Sequence, residues 1–152
     1  MTMSDLIESA LVLKEASFIL GSSCHFILDT DKKPFHGGEC FVFALEDEVN
    51  TRIALRIPRS DWVSAQQIEA EINLRKAIRR ENINGVQELV GFSLSCKNHL
   101  GSPYLALRWA DGVPLEWSTI YPGEQNSHRD IIRAVAKVVV DLLAVQKLGM
   151  QF

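Results

Sequence analysis

The sequence predicts an α+β fold built on a five-stranded antiparallel sheet with one packed helix, together with an N-terminal helix and a long C-terminal helix. Its composition agrees, because 152 residues with 47% hydrophobic and 23% charged side chains are typical of one ordinary globular domain. The spacing of the apolar residues supplies the order of elements. This spacing changes between the helical period and the alternating period of strands. The predicted order is helix, three strands, helix, two strands, helix.

The first predicted element is a helix over residues 4–20, where Leu6, Ala10 and Leu13 recur at a spacing of three to four residues. Gly21 is a natural stop for this helix, because glycine readily adopts the left-handed conformation that ends many helices. The chain therefore begins with a helix before the period changes to that of strands.

Three strands are predicted next, at residues 24–28, 40–45 and 52–57, which are rich in Phe, Val and Ile and separated by turn-forming residues. An antiparallel meander is the simplest connection between them. A second helix is predicted from residue 60 or 61 to about residue 80, ended by residues 82–85. Four apolar residues are available to a buried stripe on it, namely Ala65, Ile68, Ile72 and Ile78.

Two further strands, at residues 87–95 and 104–109, complete the predicted sheet. A long final helix is predicted over residues 129–148. Ser127 and Asp130 have the spacing of a capping box at its start, and Gly149 is a natural end.

Two segments in the strand region contain residues that are candidates for ligand binding. Residues 35–43 place Gly37 and Gly38 in a turn that leads into a short apolar strand, and residues 53–58 (Ile-Ala-Leu-Arg-Ile-Pro) place Arg56 inside the third strand. Taken alone, adjacent glycines are common in hairpin turns, and a strand arginine often only faces water.

Two later segments complete the pattern. Residues 71–83 begin with Glu71 and cover most of the second helix, and residues 104–115 run from an apolar strand into an Asp-Gly turn followed by leucine. In this order the four segments resemble the small lobe of a protein-kinase-like fold, most closely the aminoglycoside phosphotransferase and choline kinase group and particularly its fungal members. The full GxGxxG motif of protein kinases is not present.

The resemblance implies a role for each of these segments in binding ATP. Arg56 stands where the family has its lysine and would contact phosphate, and Glu71 would pair with it, although helix charges often only face water. The adenine would bind the Arg108 carbonyl and the Ala110 N–H, with Leu107 at the back of the pocket. The resemblance also assigns Gly37 and Gly38 to the cofactor site, and whether their turn closes over the ligand is left open.

The same resemblance implies that the catalytic and metal-binding residues are missing. The family places them after the first long helix of the large lobe, which residues 138–149 resemble. Residues 127–130 spell Ser-His-Arg-Asp, but they open that helix instead of following it, so Asp130 is interpreted as a first-turn carboxylate. We therefore assign no catalytic residue, expect weak ATP binding, and expect Mg²⁺ only if the missing lobe is supplied.

The predicted organisation is an N-terminal helix (1–21), a kinase-like small lobe and hinge (22–112), and a linker with the first helix of a truncated large lobe (113–152). That last helix is apolar on nearly all sides, so residues 131–148 are expected to form a homodimer or to dock on a protein partner. A naturally short kinase-like binding module is one alternative. An unrelated α+β domain, in which the motifs are chance, is another.

Charge and composition exclude several other classes of function. There are 16 Lys and Arg against 19 Asp and Glu, without a block of like charge, so nucleic acid is not an expected partner. No apolar run is long enough for a membrane span and no signal peptide is recognisable, so a cytoplasmic location is expected. The three cysteines and four histidines lack the spacing of metal ligands, so no metal site is expected.

Overall fold

The computed structural model describes residues 7–27, 35–36, 38–59, 65–111 and 125–149. In chain order the elements are α1 (Ser9–Leu20), β1 (Cys24–Phe26), β2 (Phe35–His36), β3 (Cys40–Asp47), β4 (Arg52–Pro58), α2 (Ala65–Arg80), β5 (Leu89–Ser93), β6 (Tyr104–Arg108) and α3 (Gln125–Gly149). The predicted α+β class, with an antiparallel sheet and three helices among the described residues, is confirmed.

The sheet has the strand order β1-β3-β4-β6-β5, and every pairing is antiparallel. The meander predicted for the first three strands is confirmed. The sequence did not predict β2, a two-residue strand that pairs with β3 beyond β1, with Phe26 opposite Leu45 and Phe35 opposite Val42. Because β4 occupies the other side of β3, the strands β1 and β2 lie along the same edge of β3.

The helix α1 packs on one face of the sheet. Val12, Glu15 and Ala16 are buried, Leu13 is half-buried against the larger core, and Ala10 is exposed. Glu15 on the inner face was not predicted, because counting apolar residues cannot identify a buried carboxylate. The predicted stop is confirmed, since Gly21 is left-handed at φ 72° and its N–H donates to the Ser17 carbonyl at 2.9 Å.

The sheet has an apolar core on each face, which follows from the alternation of side chains along β4. The larger core contains α1 residues together with Phe43, Leu45, Ile53 and Leu55. The smaller one joins α2 to the opposite face through Ile68, Ile72 and Leu105. Burial of each such side chain stabilises the fold by about 1.5 to 3 kcal/mol, so the two cores fix both helices on the sheet.

The predicted stripe of α2 is confirmed at its described positions, with Ile68, Ile72 and Ile78 at 4%, 2% and 7% exposure. The side chain of Ala65, and residues 60–64 where the helix was predicted to begin, lie outside the described residues. The predicted end is confirmed as well. Asn82 is left-handed at φ 53°, and the Ile83 N–H donates to the Ile78 carbonyl at 3.1 Å.

The final helix α3 begins at Gln125, earlier than predicted, and ends at Gly149. The predicted capping box is wrong, because Ser127 is already inside the helix and an N-cap residue must have non-helical backbone angles. The interpretation of Asp130 as a first-turn carboxylate is also wrong, because α3 begins at Gln125 and has no acidic residue in its first turn. The Asp130 carboxylate is 3.8 Å from the Arg133 guanidinium.

The described residues divide into two compact units, one from residues 1–73 and 87–109 and the other from residues 74–86 and 110–152. The sheet, α1 and the first half of α2 belong to the first unit, and α3 belongs to the second. No helix among the described residues is long and apolar enough to cross a membrane. The three cysteines are free thiols.

Candidate functional site

The structure brings together two of the residues singled out from the sequence, Arg56 of β4 and Glu71 of α2. The Arg56 Nη1 atom lies 2.8 Å from Glu71 Oε1, and the two side chains are 27% and 31% exposed. The other terminal nitrogen of Arg56 lies 3.8 Å from the sulfur of Cys40 on β3. The guanidinium is therefore held from two elements, the helix and the neighbouring strand.

Packing explains why this ion pair forms. Arg56 lies opposite Leu105 in the register of β4 and β6, so the two side chains project from the same face of the sheet. Leu105 contacts Ile68 and Ile72 of α2, and Glu71 directly precedes Ile72. These apolar contacts position α2 on the sheet so that the Glu71 carboxylate contacts the Arg56 guanidinium.

An apolar strip continues from Arg56 along the same face of the sheet. Val42 lies opposite Arg56, and Ala54 lies opposite both Ala44 and Leu107. The two alanines carry only a methyl group, so the strip is low and flat, a shape suited to an aromatic ring beside a cation. Ala44, Ala54 and Leu107 are at most 5% exposed.

Three members of this strip, Val42, Ala44 and Ala54, were missed by the sequence analysis. A signal for Ala54 was available, because residues two apart on a strand share a face and Ala54 is two residues before Arg56. Val42 and Ala44 required the register between β3 and β4, which spacing alone does not give.

The predicted hinge residues lie at and just beyond the end of β6. The Arg108 carbonyl accepts a hydrogen bond from Gln87 Nε2 at 3.2 Å, and the Arg108 N–H donates to the Glu88 carbonyl at 2.8 Å. A carbonyl oxygen has two lone pairs, so this one keeps capacity for another donor. Ala110 is exposed two residues later and belongs to the second unit.

The predicted glycine turn is described only in part. The turn joins β2 to β3, with His36 opposite Phe41, and Gly37 lies outside the described residues. Gly38 is exposed, and a Cβ added to it would meet nothing within 4 Å. Space is therefore open at Gly38.

The remaining chemistry of the described residues is sparse. No group of three or more His, Cys, Asp or Glu side chains within the described ranges could hold a metal ion. A cavity of about 620 Å³ lies in the second unit between residues 81–85 and α3, and its lining includes none of the predicted site residues. Among the residues singled out from the sequence, Arg56 and Glu71 form an ion pair at 2.8 Å.

Comparisons of this chain with protein-family models, with curated proteins and with solved structures give no match.

Proposed function

We propose that this chain is the nucleotide-binding half of a phosphotransferase similar to the aminoglycoside phosphotransferase group, and that it binds ATP weakly in the cytoplasm without transferring phosphate by itself. The observation that carries the proposal is the Arg56–Glu71 ion pair at 2.8 Å, which holds a cation at the end of a flat apolar strip. A nucleotide has the same two parts, a planar base and a row of anionic phosphates.

Arg56 is suited to the phosphate end. A guanidinium stays charged at any cellular pH and has five N–H donors, so its contact with Glu71 leaves donors that can reach phosphate oxygens. Glu71 would keep the cation in place before the ligand arrives, which lowers the cost of ordering it on binding. The base would lie against Ala54 and Leu107 and bond to the Arg108 carbonyl.

The proposal assigns binding but no catalysis. Phosphoryl transfer depends on metal ions and on an acidic residue that positions the acceptor, and we assign neither to this chain. Asp130 is 74% exposed and pairs with Arg133 on its own helix, which is the behaviour of a surface carboxylate. Magnesium ligands would come from a further lobe.

Calorimetric titration of the protein with ATP, in the presence and absence of Mg²⁺, tests the proposal. The informative variant is Arg56→Ala, and its matched control is Arg52→Ala. Arg52 lies on the same strand and also makes an ion pair, 3.2 Å from Glu46. At ten times its dissociation constant ATP should stabilise the protein by about 1.4 kcal/mol, visible as a rise of roughly 3 to 6 °C in Tm.

We expect binding by the parent protein and by Arg52→Ala, and a loss of at least about tenfold in Arg56→Ala, since a charged hydrogen bond contributes about 1.5 to 3 kcal/mol. Equal affinity in the two variants would remove Arg56 from the site. No heat and no change in Tm with any adenine nucleotide would overturn the proposed function.

A second candidate function, a binding module that acts through α3, is favoured by one observation. Five large apolar side chains on α3 are about half exposed or more, namely Ile132, Val135, Val139, Val140 and Leu143. Either a second copy of the chain or another protein would cover them. Light scattering over a range of concentrations tests the first option, because a constant monomer mass at high concentration excludes a homodimer.

A further inference from the structure

The helix α1 carries a carboxylate that is buried against the sheet. Glu15 is 1% exposed, and its Oε2 atom accepts a hydrogen bond from the His99 N–H at 2.9 Å. The Nδ1 atom of the same histidine is 2.7 Å away, and the hydroxyl of Tyr104 also donates to the carboxylate. One carboxylate thus joins α1 to the turn before β6 and to the first residue of β6.

The donors around this carboxylate favour its ionised form. The His99 backbone N–H and the Tyr104 hydroxyl donate to it, and Nδ1 of His99 donates to the same carboxylate in the tautomer that places a proton on Nδ1. Burial tends to raise the pKa of Glu15, but the hydrogen bonds from Tyr104 and His99 outweigh it and hold that pKa below the usual range. In return, burial and the neighbouring Glu15 raise the pKa of Tyr104, which keeps its hydroxyl a donor.

We propose that Glu15 is an acid-sensitive latch, which holds α1 on the sheet while its carboxylate is ionised and releases the helix when the carboxylate is protonated. Protonation removes the negative charge to which the His99 backbone N–H and the Tyr104 hydroxyl donate, so it weakens both hydrogen bonds. The released helix would expose the larger apolar core of the sheet.

Apolar side chains also attach α1 to the sheet, since Leu13, Ile19 and Leu20 pack against the larger core. The two completely buried apolar side chains of α1, Val12 and Ala16, are small. Ile19 packs closely over Gly91 of β5, where a Cβ would lie 3.0 Å from the Ile19 Cγ2 methyl. Glu15 is the buried charged group in this attachment, beside these apolar contacts.

Other ionisable side chains occur on the elements around Glu15, and they are Glu8 and Lys14 on α1, Cys24 and His25 on β1, Glu46 and Asp47 on β3, and Lys97 in the turn before β6. Asp47 accepts the N–H groups of Val49 and Thr51, and Glu46 pairs with Arg52, so these carboxylates serve the β3–β4 hairpin. Lys97 lines the same shallow depression as Glu15 and His99.

The pH range in which α1 is released follows from the direction in which folding changes the pKa of Glu15. Because the folded protein lowers the pKa of Glu15, the stabilisation is present above the ordinary glutamate value of about 4.3 and is lost as pH falls through the lower folded value. Release is therefore expected in acid, below about pH 4.3, and not near neutrality.

Hydrogen exchange measured by mass spectrometry, with peptides that resolve α1 from the sheet, tests the latch. In the parent protein α1 should lose protection at a higher pH than β3 and β4 as the solution is acidified. At neutral pH, Glu15→Gln should reproduce the released state, with α1 amides about 10- to 100-fold less protected and sheet amides changed by less than about twofold. Glu8→Gln is the matched control, because Glu8 is an exposed carboxylate at the start of the same helix.

Tyr104→Phe provides a second variant that keeps the carboxylate. It removes one donor, so the pKa of Glu15 should rise and α1 should be released at a higher pH than in the parent protein. Normal α1 protection in Glu15→Gln, or simultaneous loss of protection in α1 and the sheet of the parent protein, would overturn the proposal. If Glu15→Gln fails to fold, the pH of release in Tyr104→Phe decides, and an unchanged value rejects the latch.

Discussion

Replacing Arg56 and Glu71 singly and together by alanine measures how strongly the ion pair ties α2 to the sheet. Two unit charges about 4 Å apart attract by about 4 kcal/mol at an effective dielectric of 20, but solvent screens this pair because its side chains are 27% and 31% exposed. Fully exposed pairs contribute only about 0.2 to 1 kcal/mol, and breaking fully buried pairs costs about 3 to 5 kcal/mol. For this intermediate burial we expect a coupling free energy of about 1 to 2 kcal/mol.

The assay is urea unfolding of the four proteins of the cycle at low and at high salt. The coupling is the difference between the double variant and the sum of the single variants, which removes the separate cost of each truncation. It should fall as salt rises, because screening weakens partly exposed pairs.

A parallel cycle on Arg52 and Glu46 supplies the control. These residues lie directly opposite each other within the β3–β4 hairpin, so their pair does not connect the sheet to a helix. Addition of ATP should change the coupling of Arg56 with Glu71 and leave that of Arg52 with Glu46 unchanged. A coupling of Arg56 with Glu71 below about 0.3 kcal/mol, which is within the usual additivity error, would refute the reasoning.

Three further predictions concern stability. Gly85→Ala should lower the free energy of unfolding in urea more than Gly101→Ala does. Both glycines are left-handed, but only a Cβ on Gly85 would meet Val138, at 2.9 Å. Similar decreases in the two variants would contradict this prediction. Ile72→Ala should destabilise by about 2 to 5 kcal/mol, since the residue is 2% exposed, and a loss under about 1 kcal/mol would show that the smaller core is loosely packed. Glu15→Gln should flatten the fall of the unfolding free energy below about pH 4.3, and an unchanged slope would show that other carboxylates control acid unfolding.

The elements that the sequence predicted best are those in which one local pattern dominates. On α2, the positions of Ile68, Ile72 and Ile78 gave the buried side, because a helix that covers one sheet face needs one apolar stripe. The left-handed ends at Gly21 and Asn82 were also predictable, since few residues adopt that conformation easily.

The features that the sequence did not predict share a physical cause. Each depends on contacts with residues far along the chain, which a local pattern does not show. Glu15 looks like a solvent-facing residue until His99 and Tyr104, far along the chain, provide its donors. The strand β2 is too short to produce an alternating pattern, and only its pairing with β3 defines it.

The candidate site was predictable in its charged residues but not in its apolar ones. Arg56 and Glu71 stand out by charge and by resemblance, and the structure places them in contact. Val42, Ala44 and Ala54 are ordinary strand residues, and they become one surface only through the register of β3 with its neighbour. Register is a property of two strands together, which a single sequence does not specify.

The shared edge of β3 has a consequence for how this protein can vary. Since β1 and β2 each have their own register on β3, the number of residues between them does not determine how the sheet is paired. A change in the length of the chain between β1 and β2 that leaves both registers intact should therefore preserve the pairing of the described strands.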